Sequence, residues 1–283
     1  MNRRKFLQGS SLAALAMAAY PRRTAASGEQ AFTTITYNIL AARGYPERDA
    51  NRTRLQNARP QMPRRIAQEL ALYQPHLVTF QESAAEDVMA RIAGDLEMNH
   101  VYFPGGFPGT LMSCYEIVES TNCPLAGEVE GAAELFSRHW GRAVLRVDGT
   151  DMVVYSAHLH PGDAAIQKRE VAAMVAAMSE DLSAGRPLIL QGDLNHDPTD
   201  PNYQSWVDTG LQDAFADCGS GEGLTCSTTN LRWRIDYVWS AGPLSEQLAS
   251  CRVLDEGAFI ENANDPASFA LSDHLPVIAT FTI

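Results

Sequence analysis

The sequence predicts an α+β fold in which β-sheets are faced by helices. Short apolar runs rich in β-branched and aromatic residues recur along the chain, as is typical of strands. Segments with apolar residues near a helical spacing lie between them without a strict alternation, which favours an α+β arrangement over a doubly wound sheet. The chain has 283 residues, of which 45% are hydrophobic and 20% charged, and this suits a domain with a large core.

The predicted elements are spread over most of the chain. The strands cover residues 32–37, 77–80, 110–112, 143–147, 152–156, 188–190, 235–239 and 277–281. The helices cover residues 63–73, 85–96 and 164–182. The third helix has apolar residues at Ile166, Val171, Met174, Val175 and Met178. Since no repeat or long polar linker follows Glu29, we predict a single domain over residues 27–283.

Residues 1–26 have the features of an export signal. Arg3, Arg4 and Lys5 precede an apolar run over residues 12–19, and small-residue cleavage sites follow. The run is far shorter than the roughly 20 apolar residues that cross a bilayer, so we expect no stable membrane insertion. Arg3-Arg4 resembles the twin-arginine signature. We expect export to the periplasm or the extracellular space; the alternative is an amphipathic terminal helix of the fold.

The charge is distributed unevenly between this terminus and the rest of the chain. The net charge is −12, but the first 26 residues carry five basic residues and no acid, which leaves 17 basic against 34 acidic residues beyond them. The part of the chain beyond residue 26, called its acidic body below, is not expected to hold DNA or anionic lipid by bulk electrostatics. An acidic enzyme can still process phosphates if its acids hold a metal ion.

The five cysteines indicate no structural zinc site, because they form no Cys-x-x-Cys pair and no array with histidines. Cys218 and Cys226 flank a glycine-rich stretch and form the better candidate disulfide in an exported protein. Cys114 and Cys123 form a weaker candidate pair. Buried free thiols are the alternative.

Polar side chains recur at the ends of the predicted strands. These residues are Asn38, Glu82, His158, Asp193, Asn195, Asp236, Asp273 and His274. Each of these residues alone can be explained as a helix cap, a turn residue or a buried histidine. A purely structural explanation must, however, hold independently at six strand ends, and this coincidence weakens it. Side chains at the ends of neighbouring strands can converge on one site at the edge of the sheets, called the mouth below. Carboxylates, amides and imidazoles without cysteine ligands suit Mg²⁺, Mn²⁺ or Ca²⁺.

In this order, the motifs resemble the endonuclease/exonuclease/phosphatase superfamily, which includes deoxyribonuclease I, neutral sphingomyelinases and inositol polyphosphate phosphatases. The segments that carry the resemblance are Thr36–Leu40, Leu77–Glu82, Gly109–Tyr115, Ser156–Leu159, Gly192–Asn195, Trp233–Tyr237 and Ser272–Val277. The third is a drifted form of the family's Ser-Arg-Tyr-Pro segment, with Cys114 in place of the arginine. The resemblance implies a four-layer α/β/β/α sandwich of two packed mixed β-sheets flanked by helices.

The resemblance also implies roles for individual residues. Glu82, with Asn38 and Asp273, would hold a divalent metal ion, Mg²⁺ in the first place and Mn²⁺ or Ca²⁺ as alternatives. Asp193 would orient or deprotonate the attacking water, and Asn195 would help to fix the water or the phosphate. His274 would contact the phosphate, and Asp236 would hold His274. His158 would assist the developing charge or the leaving oxygen. Arg138 and Arg142 are candidate phosphate contacts, and either could instead be a solvated charge at a strand edge.

The leading hypothesis is therefore an exported, divalent-metal-dependent phosphoesterase, a monomer that acts by in-line attack of an activated water. The choice between phosphodiester and phosphomonoester stays open, as does that between nucleic acid, phospholipid headgroup and small phosphorylated metabolite. No protein partner is implied. A catalytically inactive binding protein on the same scaffold is the alternative. A serine hydrolase is a poor alternative because no Gly-x-Ser-x-Gly segment presents a nucleophile.

Overall fold

Two mixed β-sheets pack face to face, and helices cover their outer surfaces. The computed structural model describes residues 30–123 and 135–283, so the expected export signal at 1–26 lies outside the described residues. The strands are β1 (Ala31–Asn38), β2 (Leu77–Gln81), β3 (Asn99–Phe103), β4 (Gly109–Ser113), β5 (Glu116–Asn122), β6 (Trp140–Val147), β7 (Thr150–His158), β8 (Leu188–Asp193), β9 (Gln212–Asp213), β10 (Gly219–Ser220), β11 (Asp236–Ala241), β12 (Leu248–Val253) and β13 (Val277–Thr282). The helices that lie wholly within the described ranges are α1 (Arg52–Ala58), α2 (Met62–Ala71), α3 (Glu86–Asp95), α4 (Ala164–Ser183), α5 (Pro201–Val207) and α6 (Ala214–Cys218).

Both sheets mix parallel and antiparallel pairs. One has seven strands in the order β10-β12-β13-β1-β2-β4-β3, and the other has six in the order β5-β6-β7-β8-β11-β9. In the first sheet β1 runs parallel to β2, and in the second β7 runs parallel to β8. The carboxyl ends of these central strands therefore lie at one edge of each sheet. This architecture confirms the predicted α+β sandwich.

Successive side chains of a strand point to opposite faces of the sheet, so the second sheet contributes side chains to two apolar layers. Val153 and Leu190 pack in the outer cluster with Met174 of α4, whereas Val154 and Ile189 belong to the core between the sheets. Burying an apolar side chain of this size stabilises the fold by roughly 1.5–3 kcal/mol. Because the face is set by parity, each side chain at the end of a strand is also directed to one layer or the other.

The space between the sheets also contains a hydrogen-bonded polar layer. The Gln191 side chain accepts from the Thr34 hydroxyl at 2.7 Å and donates to the Ile35 carbonyl at 3.1 Å and to Oγ1 of Thr79 at 3.0 Å. All of these groups are buried. Since buried polar groups are costly unless they are paired, this layer fixes how one sheet sits on the other.

The sequence predicted the central strands but missed several at the edges. β5 and β3 are edge strands with mostly exposed or half-buried residues, so they carry no apolar run. β9 and β10 have two residues each and are too short to show a period. The three predicted helices match α2, α3 and α4 within two residues at each end. The five cysteines are all free thiols, so neither candidate disulfide is present.

Arg142 lies on the helix-covered face of the second sheet. Its guanidinium donates to both carboxylate oxygens of Asp181 on α4, at 2.7 and 3.0 Å, and to Glu119 at 2.6 Å. The Tyr155 hydroxyl donates to the same Asp181 carboxylate at 2.7 Å. Although burial alone would raise the pKa of Asp181, hydrogen bonds from Arg142 and Tyr155 hold it below its usual value. Asp181 therefore links α4 to the sheet as a buried, paired carboxylate.

Replacing Asp181 with Asn is expected to lower the free energy of unfolding at pH 7 by about 2–3 kcal/mol, because the Arg142 guanidinium loses its buried partner. The folded pKa of Asp181 is lowered, so its contribution is present above the unfolded pKa and is lost as the pH falls through the folded value. Urea unfolding should show a wild-type advantage at pH 7 that shrinks below about pH 4. Asp151→Asn, which removes the partner of Arg146 from an exposed pair, is the control and should change stability by less than about 1 kcal/mol.

Candidate active site

Three strand ends of the second sheet place polar side chains side by side. Asp193 on β8 is in register with His158 on β7 and with Asp236 on β11. By parity, these residues share the face that carries Val154 and Ile189, so they point into the space between the sheets. On the other sheet, β1 and β2 end at the same mouth with Asn38 and Gln81 in register, followed by Glu82.

Asp193 is the centre of this group. Its Oδ2 accepts from Nδ2 of Asn38 at 3.0 Å and lies 3.5 Å from Nε2 of His158 and 3.7 Å from Nε2 of His274. Its Oδ1 accepts from the backbone N–H of Asn195 at 3.1 Å. The carboxylate is buried, and burial together with the charge of Asp236 raises its pKa to about 7. Five implied functional residues thus meet around one carboxylate.

The two imidazoles have opposite charge preferences. Nδ1 of His274 lies 2.9 Å from Oδ2 of Asp236. Burial alone would lower the pKa of His274, but the charges of Asp236 and Asp193 raise it well above its usual value. Burial instead lowers the pKa of His158 well below the ordinary histidine value, and the positive charges of neighbours add to this. The surroundings therefore favour the charged form of His274 and the neutral form of His158, and these two forms are suited to different tasks.

The residues expected to hold a metal ion lie beside this group. Glu82 and Asp273 are half-buried, and burial and the charge of Asp273 both raise the pKa of Glu82. Asn38 donates its amide to Glu82 at 3.4 Å as well as to Asp193, and its Oδ1 accepts from the backbone N–H of Leu40 at 3.2 Å. Asn38 thus bridges the two acids with its amide nitrogen. Crowded carboxylates with oxygen donors fit a hard divalent cation, which would relieve their repulsion.

A second group of possible metal ligands lies among the side chains around Asp193. Within the described parts of the chain, Asp193, Asp236 and His274 bring ligand atoms within 4.8 Å of one another. Oδ1 of Asp236 is buried and has no hydrogen-bond partner. The Asp236 carboxylate already pairs with Nδ1 of His274 at 2.9 Å, whereas, among the described residues, Glu82 and Asp273 have no cationic partner within ion-pair distance. Glu82 and Asp273 therefore fit a metal ion better.

The structure separates the two arginine candidates. The Arg138 guanidinium lies 4.7 Å from the centroid of the Phe107 ring, and this ring meets His158 edge to face, so Arg138 lies beside the site. Arg142 is held by Asp181 and Glu119 on the opposite face of the sheet and is not brought to the site. The phosphate-contact hypothesis thus has a structural basis for Arg138 and none for Arg142. Strand parity is the reason, since Arg142 shares the orientation of Trp140 in the outer cluster.

The short turn that follows β8 depends on Gly192 and Asn195 of the predicted motif and on Gln167, which the sequence did not single out. Gly192 has a φ of 154°, and a Cβ there would overlap the backbone carbonyl of Ala157 on β7. Gln167 of α4 donates to the carbonyls of Leu194 and Asn195 at 3.1 and 2.8 Å. A buried glutamine on the apolar face of a predicted helix was the only sequence signal for this role. Asn195 itself has a φ of 53° and donates its amide to a backbone carbonyl, which keeps the turn closed.

Residues 35–274 match the model of the endonuclease/exonuclease/phosphatase family. The chain belongs to this family. The resemblance expected from the motifs is therefore confirmed, and family members are phosphoesterases. Comparison with curated proteins gives no significant match.

Solved structures with the same fold cover nearly all of the described chain. An endonuclease/exonuclease/phosphatase family protein from Bacteroides thetaiotaomicron has a TM-score of 0.66 at 17% identity, over 90% of this chain and 99% of its own. A mannosyl-6-phosphatase from the same species has a TM-score of 0.65 at 18% identity, over 88% and 98%. Truncated TDP2 from Caenorhabditis elegans has a TM-score of 0.61 at 14% identity, over 89% and 98%. At these identities the similarity shows the fold alone.

Replacing Gln167 with Ala is expected to lower the free energy of unfolding by about 2–3 kcal/mol, because buried backbone carbonyls behind the site lose their donor. Chemical denaturation measures the change. Lys168→Ala, an exposed neighbour on the same helix, is the control and should be within about 0.5 kcal/mol of wild type. Equal stability of both variants would show that the turn is held without Gln167.

Proposed function

We propose that the protein is a divalent-metal-dependent phosphoester hydrolase that uses an activated water as nucleophile. The observation that carries this is the position of Asp193, in register between His158 and Asp236 and within 3.7 Å of the His274 imidazole. A buried carboxylate beside one neutral and one charged imidazole offers a base and two hydrogen-bond donors around a single point. These are groups that phosphoryl transfer to water can use.

Asp193 takes the proton of the attacking water and directs the oxygen at phosphorus. As the new P–O bond forms, the bond to the leaving oxygen breaks on the opposite side. His158 donates a hydrogen bond to the negative charge that develops on the leaving oxygen, which takes a proton from solvent and departs as the alcohol. His274, held by Asp236, contacts the phosphate as an imidazolium, and Arg138 adds a second positive charge. Glu82 and Asp273, with Asn38, would hold the metal ion, which would withdraw charge from a phosphoryl oxygen.

We further propose that the substrate is a small phosphate ester and not a long nucleic acid. The acidic body of the chain supports this, because a protein that tracks a nucleic-acid backbone needs a positive groove. The same fold occurs in a mannosyl-6-phosphatase, so it can accommodate a small phosphorylated substrate. No described helix is long and apolar enough to span a membrane. A phosphodiester is the alternative to a monoester.

Hydrolysis of a substrate panel by the purified protein tests the proposal. The panel comprises p-nitrophenyl phosphate, bis-p-nitrophenyl phosphate, a hexose 6-phosphate, sphingomyelin and plasmid DNA. EDTA should abolish turnover and added Mg²⁺ should restore it, and Asp193→Asn should lower kcat by about 10²–10⁴-fold because the water loses its base. Glu82→Gln should raise the Mg²⁺ concentration that gives half-maximal rate.

Glu86→Gln, an exposed acid in the first turn of α3, is the matched control and should titrate with Mg²⁺ like wild type. Turnover that survives both EDTA and Asp193→Asn would contradict the proposed mechanism. A folded protein that binds phosphate but hydrolyses nothing in the panel would favour the alternative of a binding protein on this scaffold.

We also propose that the protein is exported by the twin-arginine route as a single folded domain. The support is the basic start, the apolar run over residues 12–19 and the pair Arg3-Arg4.

Replacing Arg3 and Arg4 together with Lys is expected to retain the protein in the cytoplasm, because the paired guanidinium groups are what the export machinery recognises in such a signal. Fractionation of producing bacteria measures the exported share. Lys5→Gln, which alters the neighbouring charge and keeps the arginine pair, is the control. Equal export of the double variant and wild type would contradict the twin-arginine assignment.

A further inference from the structure

The loop between β3 and β4 carries one of the few large apolar side chains that are exposed in the described structure. Phe107 is 42% exposed, although its ring contacts the site. Its centroid lies 6.1 Å from that of His158 at an interplanar angle of 66°, so the two rings meet edge to face. Exposure of a large apolar ring to water is unfavourable, and this points to a role of Phe107 at the site beside it.

The backbone of this loop packs directly on the segment that carries Arg138. A Cβ at Gly106 would overlap the carbonyl oxygen of Ser137, and one at Gly105 would lie 2.6 Å from the carbonyl oxygen of Arg138. The Phe107 carbonyl lies 3.0 Å from Nδ1 of the buried His139, which closes the contact from the other side. The two glycines therefore permit an approach that sets Phe107 against Arg138.

Arg138 rests on the Phe107 ring. Its guanidinium carbon lies 4.7 Å from the ring centroid, within the range of a cation–π interaction. Nη1 donates to the Ser137 hydroxyl at 3.0 Å, while Nε is buried and has no hydrogen-bond partner. Among the described residues, no carboxylate lies within ion-pair distance of this guanidinium, in contrast to Arg142. Arg138 thus has no carboxylate partner, among the described residues, that an incoming anion would have to displace.

The guanidinium lies beside the site, because the Phe107 ring that it rests on also meets the His158 ring edge to face. Its charge interacts with Asp193, Glu82 and His158, and also with Glu170, a buried acid on α4. A long, flexible arginine loses considerable side-chain entropy when it is fixed in one rotamer. A ring that holds the guanidinium before the substrate arrives reduces this loss on binding.

We propose that Phe107 is a positioning residue for phosphate recognition, since its ring holds the Arg138 guanidinium beside His158 so that the guanidinium binds the phosphate group of the substrate. This inference rests on the proposed function. It assigns Phe107 no contact with the reacting atoms. Its effect on phosphate binding passes through Arg138, and an aromatic ring is therefore the property required at position 107.

A double-mutant cycle on the full chain tests the inference, with inorganic phosphate as the probe in the presence of Mg²⁺. Phe107→Leu keeps an apolar side chain but removes the ring, and it should weaken phosphate binding by about three- to tenfold. Arg138→Met should weaken binding at least as much. The double variant should match Arg138→Met alone, because the ring has no effect without the guanidinium. Phe107→Tyr should bind phosphate like wild type.

Arg252→Met is the matched control, because Arg252 of β12 lies over the ring of Tyr73, just after α2, at 5.7 Å in a cation–π pair outside the site. It should leave phosphate affinity unchanged. Additive losses in the double variant, or wild-type affinity in Phe107→Leu, would overturn the positioning role while leaving the hydrolase assignment intact. A wild-type protein that neither binds phosphate nor hydrolyses any ester would overturn both proposals.

Discussion

The hydrogen bonds that Gln191 makes between the two sheets set the geometry on which the site depends. The acceptor and donor groups of its amide reach Thr34, Ile35 and Thr79 on the opposite sheet. Two residues further along the same strand, Asp193 has the same orientation and meets Asn38 of the opposite sheet. Because a sheet interface made only of apolar side chains tolerates sliding, this paired polar layer is what holds the two halves of the site at a defined distance.

The electrostatics of the site follow from the same burial. Asp193, Asp236 and His274 are withdrawn from water, so each charge depends on its neighbours and not on solvent. Asp236 stabilises the charged form of His274, while His158, in register with Asp193 on the next strand, is kept neutral by burial. Neighbouring residues of the same chemical type thereby acquire different properties. Such differences in surroundings are the general means by which common side chains acquire separate acid and base properties in one site.

Two arginines that are close in sequence have different partners in the structure. Arg138 precedes β6 and lies on the aromatic ring of Phe107 at the mouth, whereas Arg142 within β6 is directed to α4 and paired with Asp181. Both are basic residues before the His158 strand, and sequence alone treats them as equivalent. Their partners make one a candidate phosphate ligand and the other a structural link between sheet and helix.

The sequence by itself determined the core of this protein. Buried central strands such as β2 and β8 are apolar runs, and the polar residues at their ends form an ordered set of motifs, so the fold class, the family and the identity of most candidate site residues could be inferred. Edge strands such as β5 could not, because they are exposed and carry no apolar period. Only the tertiary structure decided which arginine reaches the site, which histidine is charged, and that Gln167 and Phe107 support the mouth. These properties depend on packing between segments far apart in the chain, which local patterns of hydrophobicity do not record.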